Sequence, residues 1–104
     1  MITADQLKDV MERAEALFRY LEIDKKKIEF EEEDLRTQAP DFWDDPKRAE
    51  EQMKKVKAIK SWIDGYNEVR SHADELQLAF DFYKEEMVTE EEVDDNYAKA
   101  MQAI

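Results

Sequence analysis

Both prolines of this 104-residue chain stand in one eight-residue tract, Ala39-Pro40-Asp41-Phe42-Trp43-Asp44-Asp45-Pro46, and the single glycine, Gly65, lies outside it. A sheet protein of this size needs a turn rich in glycine, proline or asparagine roughly every ten residues. Here the backbone is told to stop, turn and restart at one place, and the sequence on either side carries nothing else that breaks a helix. Charged and apolar residues each make up 42% of the chain, a balance that belongs to long helices and coiled coils. Eleven aromatic residues in regular apolar spacing separate it from a disordered tail. The expectation is an all-α, single-domain chain: an elongated antiparallel bundle of three to four helices, coiled-coil-like, with one very long central helix.

The helices can be placed. Thr3 and Gln6 have the spacing of a capping box. Behind them Leu7, Val10, Met11, Ala14, Leu17, Phe18 and Leu21 keep one apolar face, and positions 7, 14, 21, 28 and 35 form a heptad series that predicts a seam through Ile28 and Leu35. A break is expected at 22–24, with Asp24 as the second cap, giving helices over about 4–22 and 24–37. Asp45 is a suitable N-cap and Pro46 a suitable first helical residue. From there Met53, Val56, Ile59, Ile63, Tyr66, Val69, Ala73, Leu76, Phe80, Tyr83 and Met87 predict a helix over about 46–86, roughly 60 Å long. Gly65 within it costs about 1 kcal/mol relative to alanine, which predicts a close helix approach or a slight bend there. Thr89 and Glu92 repeat the capping-box spacing ahead of a last helix over about 90–104. That helix ends at Ile104 in mid-pattern, so residues 1–104 are expected to be the N-terminal part of a longer chain.

No catalytic constellation stands out. His72 is the only histidine and has no nucleophile spaced to partner it, so a rim position is expected. The acidic runs Glu31–Asp34 and Glu90–Asp95 lack the alternating carboxylates and central glycine of a calcium loop, and read as solvated helix ends. With no cysteine there is no thiolate metal site or disulfide, and one glycine cannot build a phosphate-cradling loop. The expectation is no enzyme activity, no cofactor and no metal. A net charge of −12 disfavours a general nucleic-acid coat or an anionic membrane surface. The opening residues carry no basic and apolar signal region, so a cytoplasmic location is expected.

One stretch departs from the acidic background. Lys47, Arg48, Lys54, Lys55, Lys57 and Lys60 face only Glu50 and Glu51 between 47 and 60, a local charge of +4. The plainer account pairs these cations with the acidic 29–34 segment across the bundle; the functional account is a stripe that touches RNA phosphate. Phe42 and Trp43 are expected to plug the end of the bundle in preference to serving as a binding hot spot. Tyr66, Phe80 and Tyr83 read as core, with Phe82 off the seam.

The Asp24-Lys25-Lys26-Lys27 stretch and the tract Pro40-Asp41-Phe42-Trp43-Asp44-Asp45-Pro46-Lys47-Arg48-Ala49 resemble the N-terminal domain of bacterial peptide chain release factor 2, in the class I release factor family. Pro40, Asp41, Trp43 and Pro46 carry the signature. Glu12-Arg13 and Tyr20-Leu21 stand at matching distances ahead of it. The resemblance implies a role in translation termination without chemistry of its own. In that family a Gly-Gly-Gln loop hydrolyses peptidyl-tRNA and a Ser-Pro-Phe tripeptide reads UAA and UGA, both in later domains, and neither tripeptide is present here. It also implies docking at the stalk base of the large ribosomal subunit, against RNA and protein, and a functional link to release factor 3. The basic residues at 47–60 are then the candidate ribosome-facing set. The competing expectation is a free-standing helical adaptor or oligomerising coiled coil, to which the heptads are equally suited. An exposed Met101 and Ile104 would favour dimers of the isolated chain.

Overall fold

The computed structural model describes all 104 residues and contains four α-helices and no strand: α1 (Ala4–Tyr20), α2 (Ile23–Arg36), α3 (Pro46–Lys84) and α4 (Glu90–Ala103), with a single 3-10 turn at Phe42–Asp44. The all-α expectation and the long central helix are thus observed. Contacts within the chain divide it into two compact units, residues 1–20 with 66–104, and residues 21–65.

In the first unit, α1, the C-terminal part of α3 and α4 share a hydrophobic core. Val10 and Ala14 of α1, Ala73 and Leu76 of α3 and Val93 of α4 are sealed from solvent. Ile2, Leu7, Val69, Ala79, Phe80 and Ala100 surround them. The core follows from the 3–4 spacing of these residues, which puts them on one stripe of each helix. Phe18 and Tyr66 extend it, their rings 5.2 Å apart and tilted by 57°. The ends are held locally. Gln6 N–H donates to Thr3 Oγ1 at 3.1 Å and Thr3 N–H to Gln6 Oε1 at 2.8 Å, completing the capping box of α1. Thr89 Oγ1 accepts from Glu92 N–H at 3.2 Å at the start of α4.

Helix α3 stops at Lys84 because Glu86 turns left-handed at φ 60°. Met87 N–H then reaches Phe82 C=O at 2.9 Å and Glu86 N–H reaches Tyr83 C=O at 3.0 Å, the two bonds of a Schellman cap. Met87, expected on the seam, lies beyond this stop and is exposed. The Tyr83 hydroxyl donates to Glu90 at 2.9 Å, and that carboxylate raises the phenol above its usual pKa.

The second unit is a helical hairpin of α2 and the N-terminal part of α3, joined by residues 37–45 and antiparallel because the link is short. Its break from α1 lies where the sequence places it, but Asp24 is not the cap. Glu22 adopts a left-handed φ of 51° with no side-chain cap, and α2 starts at Ile23. The Lys26 ammonium donates to the Leu21 carbonyl left open at the break. This single residue also changes the phase of the helix. The stripe facing α3 becomes Ile23, Lys26, Phe30, Glu33 and Thr37, while Ile28 and Leu35 turn outward, 58% and 67% exposed. The predicted heptad through 28 and 35 is therefore not the seam. Ala49, Val56, Ile59 and Ile63 of α3 complete the interface. Gly65 makes no close approach: a Cβ built on it meets nothing within 4 Å.

Candidate functional site

Helix geometry divides the six predicted cations among different faces of α3. At about 100° per residue, the α3 positions 49, 52, 56, 59 and 63 face α2, and the residues between them fall on either flank or on the face turned away. Lys57 and Lys60 lie on the same flank as Met53, Arg48 and Lys55 lie on the opposite one, and Lys47 and Lys54 lie on the face turned away from α2, where Lys54 still reaches the rim of the Met53-side groove. Each flank borders its own concavity within the hairpin.

On the Arg48 side, a hollow of about 680 Å³ is lined by the end of α2, the loop and the first turns of α3, among them Arg36, Phe42, Asp44, Asp45, Arg48 and Lys55. Asp45 Oδ1 accepts from Arg48 N–H at 3.3 Å, as an N-cap should, with Pro46 next in the first helical position. The signature residues Pro40, Asp41, Trp43 and Pro46 are all on the surface of this loop. The 3-10 turn directs Phe42 into the hollow and Trp43 outward, 64% exposed, with the two rings edge to face at 5.1 Å. Trp43 is therefore not the expected plug; only Phe42 packs back.

Lys55 is taken by a buried carboxylate. Glu33, read from the sequence as part of a solvated acidic end, is buried at the α2–α3 contact. Its Oε2 accepts from Gln52 Nε2 at 2.8 Å, and the same amide donates to the Glu33 backbone carbonyl at 2.9 Å. Lys55 Nζ lies 3.3 Å and Arg36 Nη1 3.5 Å from the carboxylate. The Gln52 hydrogen bond, aided by Lys55 and Arg36, holds Glu33 below the usual carboxylate pKa despite the opposing effect of burial. No local sequence signal marks Glu33 and Gln52 as partners, because their meeting depends on the register of α2 against α3. The expected pairing of cations with the 29–34 segment is made by Lys55 alone, because Lys54 pairs at 3.4 Å with Glu50 on its own helix.

On the other flank, an open groove of about 420 Å³ is lined by Phe30 and Asp34 of α2 and by Glu50, Met53, Lys54, Val56, Lys57 and Lys60 of α3. Phe30, Met53 and Val56 make an apolar floor; Met53, predicted on the seam, is 45% exposed here. Lys57 and Lys60 form no ion pair within the chain.

Elsewhere the chain offers little chemistry. His72 is half-buried at the rim of the first unit, its Nδ1 3.8 Å from a Glu75 carboxylate oxygen and without a hydrogen bond. No three His, Cys, Asp or Glu side chains converge as a metal would require, and no helix is long and apolar enough to cross a membrane.

Comparison with known proteins finds distant relatives. Over 97 residues the chain is 29% identical to peptide chain release factor 2 of Aeromonas hydrophila, a stretch covering 93% of this chain and 25% of that protein. Over 67 residues it is 28% identical to peptide chain release factor 2 of Staphylococcus haemolyticus, covering 64% of this chain and 18% of that one. The chain is distantly similar to peptide chain release factor 2. It spans a quarter or less of the length of these release factor 2 relatives. The longer match leaves out 104 − 97 = 7 residues, so it takes in most of both units. No family profile matches the chain, and no solved structure does.

Proposed function

We propose that this chain is a non-catalytic, ribosome-docking domain of a translation termination factor, acting in the cytoplasm as the N-terminal part of a UAA- and UGA-reading release factor. The observation that carries this reading is the similarity to release factor 2 along 93% of the chain. The resemblance of the Pro40–Ala49 tract supports it. Docking to the large subunit near the stalk base, and coordination with release factor 3, belong to the same proposal.

The lysine flank supplies the docking face. Lys54, Lys57 and Lys60 border one side of α3 on a chain of net charge −12, and Lys57 and Lys60 are free to meet a partner. Lys55 is excluded from the docking set because it serves Glu33. The test is co-sedimentation of the chain with purified large subunits over a range of salt. Weak binding that falls with salt is expected, together with a loss of binding when Lys57 and Lys60 are both replaced by Glu. No binding at low salt, or binding indifferent to that replacement, would reject the reading.

The rival reading, an oligomerising helical adaptor, is favoured by the outward Ile28 and Leu35. Sedimentation velocity separates the two: a stable dimer abolished by Ile28→Glu supports the adaptor, and a monomer counts against it.

A further inference from the structure

We infer that the groove between α2 and α3 is a receptor for an acidic amphipathic helix of a partner protein. The inference goes beyond ribosome docking by naming the chemistry of the partner, and rests on that reading only for where the partner is met. The floor is Phe30, Met53 and Val56, and the rim is Lys54, Lys57 and Lys60. Two properties of this lining select the occupant.

First, the floor is apolar and open. Phosphate contacts need donors and a solvated surface, and an RNA backbone gains nothing from covering Met53 or Phe30. An amphipathic helix does gain, because its apolar stripe removes both side chains from water. At about 420 Å³ the groove is within the usual range of binding concavities, roughly 300–1,000 Å³. From Glu50 to Lys60 it follows α3 for about 15 Å, long enough to receive anchors spaced i, i+4 and i+7.

Second, the rim is charged in a pattern that suits carboxylates spaced along a helix better than a continuous line of phosphates. Lys57 and Lys60 have no partner within the chain, whereas Glu50 and Asp34 also border the groove. A polyanion laid along this flank would run against both acids. A helix can set its carboxylates opposite Lys57 and Lys60 and leave apolar or neutral positions at Asp34 and Glu50. The free lysines also steer an acidic partner toward the only part of the sequence with a strong positive balance.

The test uses the intact chain and a fluorescent acidic peptide of roughly 18 residues, about 27 Å as a helix, with leucines on one stripe and glutamates flanking it. A scrambled peptide of the same composition and an RNA hairpin serve as comparisons. Anisotropy should show saturable binding of the amphipathic peptide, at least about tenfold tighter than the scrambled one. Met53→Glu should weaken it by about tenfold or more while leaving the circular dichroism and melting of an already exposed position unchanged. The pair Lys57→Glu and Lys60→Glu should weaken it and flatten its salt dependence, and keeps the test decisive should Met53→Glu perturb folding. Equal binding of the scrambled peptide, indifference to Met53→Glu, or tighter binding of the RNA would overturn the inference. With large subunits, wild-type binding that Met53→Glu leaves intact would overturn the groove and spare the docking reading. Peptide binding without subunit binding would do the reverse.

Discussion

Replacing Gly65 by alanine should stabilise the protein by about the intrinsic helix-propensity difference between the two residues. Gly65 lies inside α3 with a helical, negative φ, so alanine can adopt its backbone without strain. An added Cβ meets no atom within 4 Å, so it displaces nothing and buries nothing. What remains is intrinsic propensity, in which alanine exceeds glycine by about 1 kcal/mol in a helix interior, chiefly because glycine loses more freedom on folding. That is about a fivefold change in the folding equilibrium. For about 100 residues it corresponds to a rise in Tm of about 4 °C.

Urea unfolding followed by helical circular dichroism is the assay. With an m-value of about 2 kcal/mol/M, the midpoint should move up by about 0.5 M with an unchanged slope. Ala58→Gly, at an exposed site two turns earlier on the same helix, is the mirror control and should lower the midpoint by a similar amount. An unchanged or lowered midpoint for Gly65→Ala, with the control behaving as stated, would refute the argument. Gly65 would then be required by a bend or contact, as its sequence context first implied.

Three further outcomes follow from the same structure. Leu76→Ala removes a fully buried side chain from the three-helix core and should cost about 2–5 kcal/mol; a loss under about 1 kcal/mol by urea unfolding would mean the core collapses around the gap. Glu86→Gly relieves a left-handed residue at a Schellman cap and should add up to about 1 kcal/mol; a destabilised variant would show that the Glu86 side chain matters more than its backbone. Glu33 binds protons less readily folded than unfolded, so its contribution is fully present above its ordinary pKa of 4.5 and is lost as pH falls through the lowered folded value. The stability gap between wild type and Glu33→Gln should therefore narrow as pH drops below 4.5, and a gap constant with pH would remove Glu33 from the network.

Three of the four helix starts were legible because each carries local chemistry that has few alternatives. Thr3 with Gln6, Asp45 with Pro46, and Thr89 ahead of three glutamates mark starts that the hydrogen bonds bear out. The seam of α3 was legible from Val56 to Phe80 because nothing interrupts its 3–4 rhythm. The face of α2 was not, for a definite reason. Glu22 is left-handed although glutamate carries no preference for that region, so its turn depends on the surrounding packing and not on a local signal. One such residue rotates all that follows, and Ile28 and Leu35 end outside while Glu33 ends inside. The basic stripe was visible as composition, but its division into a latched Lys55 and a free Lys57 and Lys60 depends on the register of α2 against α3, which composition does not carry.

The hairpin of α2 and α3 has a consequence that follows from its thinness. Two helices meet along a single stripe, and a single stripe has no interior comparable to the three-sided core around Leu76 and Val93. Ile23 and Ala49 are sealed within the hairpin, but between them the contact is carried in part by Glu33, Gln52 and Lys55. A polar latch of this kind selects one register, because a shift of either helix by one turn would leave the carboxylate buried without its partners, a strongly unfavourable state. Apolar contact alone tolerates sliding much better. Fixing the register by polar groups also releases apolar residues from that duty, and Met53 is left exposed beside a half-buried Phe30. They floor an open groove at a place where a larger core would have covered them. A latched register and an uncovered apolar floor on one hairpin are what a surface needs if it is to present the same shape to a partner each time they meet.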